Sequence, residues 1–184
     1  MSWRILLPVV ALLIAACGIP LETEPEVVDV ELAPPAGNET PVPGELVAVS
    51  LYLVRDDALV HVTRELPSPP SLTSIFESLL GSVTDEERQA NLRTAIPPGT
   101  ETISITEDGS VLRVDLNSEF AAVGGEEEIL AIAQIVLTAT SVEGVDQVAF
   151  QLEGVPTDVP VASGALSVDP VGAVDYESLV AAGP

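Results

Sequence analysis

The sequence predicts an α+β fold, a single small domain with a mostly antiparallel sheet covered by two main helices. Three observations predict it. Apolar residues alternate with polar ones over several short segments, the period of a strand with one buried face. Two pairs of these segments are joined by short turn-forming runs, the pattern of a β-hairpin. Between them, apolar residues recur at helical spacing, so helices are interleaved with hairpins in the order β-β-α-α-β-β-α-β.

The first strand begins at Leu46, where Val47, Val49, Leu51 and Leu53 alternate with Ala48, Ser50, Tyr52 and Val54. Arg55-Asp56-Asp57-Ala58 makes the turn, and Leu59 to Glu65 returns as the second strand. Ser68-Pro69-Pro70 is expected to open a helix, with a capping hydroxyl ahead of prolines whose missing N–H groups cost nothing in a first turn. Leu72, Ile75, Phe76, Leu79 and Leu80 form its apolar stripe, and Gly81 ends it. Thr84 with Glu87 reads as a capping box for a short second helix through Leu92. Ile103 and Ile105 lead into Glu107-Asp108-Gly109-Ser110, the strongest hairpin signal, and Leu112, Val114 and Leu116 alternate on the return. Glu126, Glu127 and Glu128 suit the positive end of a helix lined by Ile129, Ile132, Ala133 and Val136 and stopped at Gly144. Val148, Phe150 and Leu152 make a further strand, of parallel or antiparallel sense. Pro156 to Pro184 is expected to hold one or two short strands and a frayed end.

Upstream of this domain, residues 1–16 read as a secretory signal: Arg4, an apolar run from Ile5, and small residues before a cysteine. The run is too short for a membrane span. Leu13-Ile14-Ala15-Ala16-Cys17 resembles the lipobox of bacterial lipoproteins, in which the cysteine thiol receives a diacylglycerol. Cys17 is the only cysteine, and lipidation leaves no thiol in need of a partner. Residues 17–45 form an acidic, proline-rich linker, expected to be a disordered tether because it cannot bury enough apolar surface to offset its ordering entropy. The domain proper spans 46–184.

Composition excludes several functions. The chain carries 29 acidic residues against six basic ones, a net charge of −23 with no lysine. Such a surface repels nucleic acid and anionic headgroups, so the expected contact with the membrane is through the lipid on Cys17 alone. Without lysine, with the cysteine lipidated and with no G-x-S-x-G elbow, no activated nucleophile is visible. His61, the only histidine, alternates with Leu59 and Thr63 and reads as a strand residue, not a general base. No metal site is expected, since zinc needs several His or Cys ligands and the three glutamates lack a calcium-loop pattern. No cofactor and no catalytic residue is predicted.

Three segments resemble the GerMN domain of sporulation and spore germination. They are "VTRELPSPPSL" from Val62, "LLGSVTDEERQANLRTAIPPGT" from Leu79 and "VLRVDLNSEFA" from Val111. GerMN domains are widespread as single-domain lipoproteins of Gram-positive bacteria, notably actinobacteria, and are not known as enzymes. The resemblance covers Leu46 to Leu152 and implies a compact domain related to small assembly modules of secretion-system rings. This chain has one copy where the sporulation protein that gave the family its name has two, which favours a general envelope lipoprotein. The expected function is therefore a lipid-anchored interaction module on the outer face of the cytoplasmic membrane, docking on another envelope protein or complex. The alternatives are a lipoprotein binding a solute, cation or cell-wall fragment, and a cryptic carboxylate-dependent cell-wall hydrolase. Two readings stand for Thr94 to Thr100. One is a rigid connector fixed by Pro97, Pro98 and Gly99, and the other a docking loop flanked by Arg88 and Arg93.

Overall fold

The computed structural model describes residues 44–181, so the expected signal peptide, Cys17 and nearly all of the linker lie outside the described residues. Strands β1 (Leu46–Arg55) and β2 (Ala58–Pro67) pair antiparallel, with Arg55 opposite Ala58. Asp56 and Asp57 both take positive φ, 50° and 58°, the geometry whose twist matches a two-residue hairpin. Val49, Leu51 and Leu53 are buried as their alternation requires, and Val54 is buried as well.

Helix α1 (Leu72–Leu80) buries Ile75, Phe76 and Leu79. Its cap is Ser71, not Ser68. Ser71 Oγ accepts from the Ser74 N–H at 3.1 Å and Ser74 Oγ accepts from the Ser71 N–H at 3.0 Å, leaving both prolines outside the helix. Helix α2 (Asp85–Gln89) carries the expected Thr84–Glu87 capping box but stops before Leu92. Asn91 turns left-handed at φ 57°, and the Leu92 N–H reaches back to the Glu87 carbonyl at 2.9 Å, a paired-bond stop that tucks Leu92 into the core.

Strands β3 (Thr102–Asp108) and β4 (Val111–Leu116) form the second hairpin around Gly109, at φ 64°. A 3₁₀ turn (Ser118–Ala122) follows, then helix α3 (Glu126–Ala139) and β5 (Gln147–Leu152), which pairs parallel with β4. The parallel sense follows from the helical crossover between them. Short strands β6 (Val155–Pro156) and β9 (Val171–Gly172) both pair with β5, and β7 (Val159–Pro160) pairs with β8 (Leu166–Ser167). Every one of these named pairings is antiparallel except β4–β5.

Two further expectations need correction. Helix α3 ends at Ala139, five residues before Gly144, where the Thr140 hydroxyl bonds back to the Val136 carbonyl at 2.8 Å. It also lacks a solvent face over most of its length: all residues from Leu130 to Ala139 are buried, because β1, α1, β5, β7 and the C-terminal segment surround it. The C-terminal segment holds four short strands, β6 to β9, where one or two were expected, and it is fastened down as far as Ala181; the last three residues of the expected frayed end lie outside the described residues. Tyr176, in a second 3₁₀ stretch (Ala173–Leu179), is fully buried and donates its hydroxyl to the Pro160 carbonyl at 2.9 Å. The Ala181 N–H then bonds Leu59 at 2.8 Å, fastening the segment to β2.

Candidate functional site

The Thr94–Thr100 loop leaves the core and returns to it. Ala95, Ile96 and Thr100 are buried, Pro97 is half-buried, and Pro98 with Gly99 forms the exposed tip. Both ends are clamped. On one side Gln134, wholly buried on α3, accepts from the Ala95 N–H at 2.6 Å and donates to the Tyr52 carbonyl at 3.0 Å. On the other side Asn117 donates to the Gly99 carbonyl at 2.9 Å and accepts from the Glu101 N–H at 3.2 Å. Gly99 has φ 86°, so a side chain there would be strained.

Asn117 itself is held in place. It lies between β4 and the 3₁₀ turn, where Asp115 accepts from the Gly154 N–H at 2.9 Å and Glu153 accepts from the Ser118 N–H at 2.8 Å. Two of the family-like segments, LRTAIPPGT and VLRVDLNSEFA, therefore meet at one asparagine. Neither periodicity nor turn chemistry singles out Asn117, and sequence reasoning missed it. Gln134 did leave a signal, as an amide within the otherwise apolar run Ala131 to Leu137.

The two arginines of the expected docking site each hold a carboxylate. Arg93 forks onto Glu127 at 2.8 and 2.9 Å and reaches Asp57 at 3.0 Å, tying the first hairpin turn to the start of α3. Glu127 first, and Asp57 after it, push its guanidinium pKa upward against the effect of burial. Arg88 pairs with Asp85 at 2.6 Å on the exposed face of α2 and donates to the Val83 carbonyl at 3.0 Å. A third arginine, which sequence reasoning passed over, is more deeply engaged. Arg64 on β2 makes a two-pronged pair with Glu87 at 2.9 and 2.7 Å and donates to the Ser78 carbonyl, joining the end of α1 to the capping box of α2. Glu87 is held below the usual carboxylate range, chiefly by the Arg64 hydrogen bond, with burial opposing.

His61 lies on the exposed outer face of the first hairpin, its Nε2 3.0 Å from Ser50 Oγ and its ring edge-on to Tyr52. Among the described residues no group of three or more His, Cys, Asp and Glu side chains could hold a metal ion, and no helix is long and apolar enough to cross a membrane.

Hairpin-and-helix units packed in this order define a GerMN-type domain. The chain belongs to the Germane family, described as sporulation and spore germination, whose model matches residues 47–158. Among solved structures it is similar to the tandem GerMN domains of the sporulation protein GerM from Bacillus subtilis (21% identity, TM-score 0.55, covering 70% of this chain and 46% of that one). The chain thus spans about half the length of that tandem structure. It is also similar to the first GerMN domain of the same protein (22% identity, TM-score 0.53, covering 68% of this chain and 97% of that one). Among curated proteins nothing matches.

Proposed function

We propose that this protein is a non-catalytic GerMN-type interaction module, anchored by lipid on Cys17 outside the cytoplasmic membrane and docking on another envelope protein or complex. One observation carries the docking reading: Pro98 and Gly99 are exposed although the backbone on either side is fixed by Gln134 and Asn117. A tip held rigid yet exposed loses little entropy when a partner binds it, which is what preorganisation contributes to affinity. Arg88 and Arg93 precede the tip in sequence, but each is already paired with a carboxylate, so the reading rests on the tip itself, with Pro97 completing the surface. The anchoring reading rests on Ala15-Ala16-Cys17 and on the acidic character of everything that follows.

The test is photocrosslinking in the native envelope, with the crosslinker at Pro98 and, in parallel, at the exposed Glu86 on α2. A discrete protein adduct from Pro98 that is absent from Glu86 is expected, and it should vanish with Cys17→Ser, which releases the protein from the membrane fraction. Equal, diffuse labelling from both positions would make the loop a connector and sink the docking reading.

A further inference from the structure

Beside the 3₁₀ turn that follows Asn117 lies a cavity of about 160 Å³. Its apolar lining includes Phe120, Val123, Ile132, Phe150 and Val159. Glu128, Gln151 and Asp158 add its polar groups. The volume is well under the several hundred Å³ that a cofactor or drug-sized ligand occupies and is right for one unbranched side chain.

The charges point to the sign of that side chain. Of the five described arginines, those at 64, 88, 93 and 113 are each paired with a carboxylate (Glu87, Asp85, Asp57 with Glu127, and Asp108), and Arg55 at the first hairpin turn is in no ion pair. Among the described residues neither Glu128 nor Asp158 is in an ion pair. The chain has no lysine to supply one. Glu128 lies in the first turn of α3. An apolar slot bearing two carboxylates that are in no ion pair is complementary to an aliphatic stem that ends in a cation.

We propose that this pocket receives a lysine side chain of the docking partner, with its methylenes against Phe120 and Phe150 and its ammonium between Glu128 and Asp158. Two carboxylates on separate elements suit the three diverging donors of an ammonium better than the planar fork of a guanidinium, which favours a single carboxylate. Asn117, which holds Gly99, immediately precedes the 3₁₀ turn whose Phe120 and Ala121 line the cavity. This inference rests on the docking reading and names the chemistry that reading would use.

The probe is Nα-acetyl-lysine methylamide, titrated into the full chain and followed by backbone NMR shifts. Saturable shifts confined to residues around 121–123 and 150–159 are expected, with none from the norleucine amide, which has the stem without the charge. Glu128→Gln and Asp158→Asn should each weaken binding about tenfold, the worth of one charge-assisted hydrogen bond. Thermal unfolding should shift little, since among the described residues neither side chain makes a hydrogen bond or an ion pair. Equal binding of the norleucine amide, tighter binding of the arginine amide, or unaltered affinity in both variants would overturn the lysine site. The Pro98 crosslink reports separately on docking. If it persists while the amine does not bind, the pocket proposal falls and the docking reading stands.

Discussion

The two hairpins start from the same recipe, alternating strands around a two-residue turn, and finish with opposite edges. Along β1, the side away from β2 is sealed residue by residue. The Tyr52 N–H donates to Thr138 Oγ1 at 3.1 Å and its carbonyl accepts from Gln134 at 3.0 Å. Val54 exchanges two backbone bonds of 2.9 Å with Arg93, and the Ser50 carbonyl accepts from Ser141 at 3.3 Å. Along β3, the sheet ends: its outer side has no strand neighbour among the described residues, and Ile103 is 52% exposed. One edge is therefore closed by polar side chains of a buried helix and the other by charge, with Glu101, Glu107 and Asp108 discouraging a stray strand. The contrast teaches where this domain keeps its stability and where it can afford change.

The largest effect should come from breaking the sealed edge. Gln134→Leu keeps the volume of a buried side chain but orphans both the Ala95 N–H and the Tyr52 carbonyl. At about 1–3 kcal/mol for each unsatisfied buried group, a loss of about 3–4 kcal/mol is expected in denaturant unfolding. A loss under 1 kcal/mol would show that water or a shifted backbone takes over, and that the clamp on the loop is dispensable.

Second comes the latch on the other strand of the same hairpin. Arg64→Ala strands Glu87 with its side chain only 11% exposed, and a loss of about 3 kcal/mol is expected. This pair also has a pH signature. Because the native carboxyl titrates below its ordinary value of 4.5, the unfolded chain takes up its proton first as pH falls. The contribution is complete above that value and disappears as pH drops through the depressed native one. The acid side of the stability profile should therefore be shallower in Arg64→Ala than in the wild type. Parallel acid limbs would place the linkage on other carboxylates.

How much of this was legible follows from sequence separation. The turns at Asp56-Asp57 and Gly109, the stripe of α1 and the capping box of α2 are decided by neighbours within a few positions, and periodicity with turn chemistry reads them. The α1 cap was misplaced by three residues because Ser68 and Ser71 offer the same hydroxyl ahead of the same stripe, and only the reciprocal bond with Ser74 separates them. The sealed edge was illegible, since Tyr52 meets Gln134 and Thr138 across 82 and 86 residues. The same distance hid the all-round burial of α3, which a single apolar stripe understated. The loop tip was legible through its prolines and Gly99. The asparagine that holds it was not, because Asn117 acts through one geometric coincidence that leaves no pattern behind.

The smallest effect is expected at the open edge, and it is the sharpest check on the contrast. Ile103 is a large apolar residue on a terminal strand and is exposed, whereas the outer edge of β1 is bonded at Ser50, Tyr52 and Val54. Replacing it with lysine removes little buried area, adds a charge to a surface short of cations, and places on the edge the residue type that most discourages strand addition. Stability should move by no more than about 0.5 kcal/mol, as for other surface changes. Sedimentation of Ile103→Lys should show the same or less self-association than the wild type. A destabilisation above about 1 kcal/mol, large for an exposed position, would mean that β3 is covered in solution, by residues outside those described or by a second copy. In that event the two hairpins would be alike after all, each with a sealed edge, and the surface open to a partner would shrink to the Pro98–Gly99 tip and the slot beside Phe120.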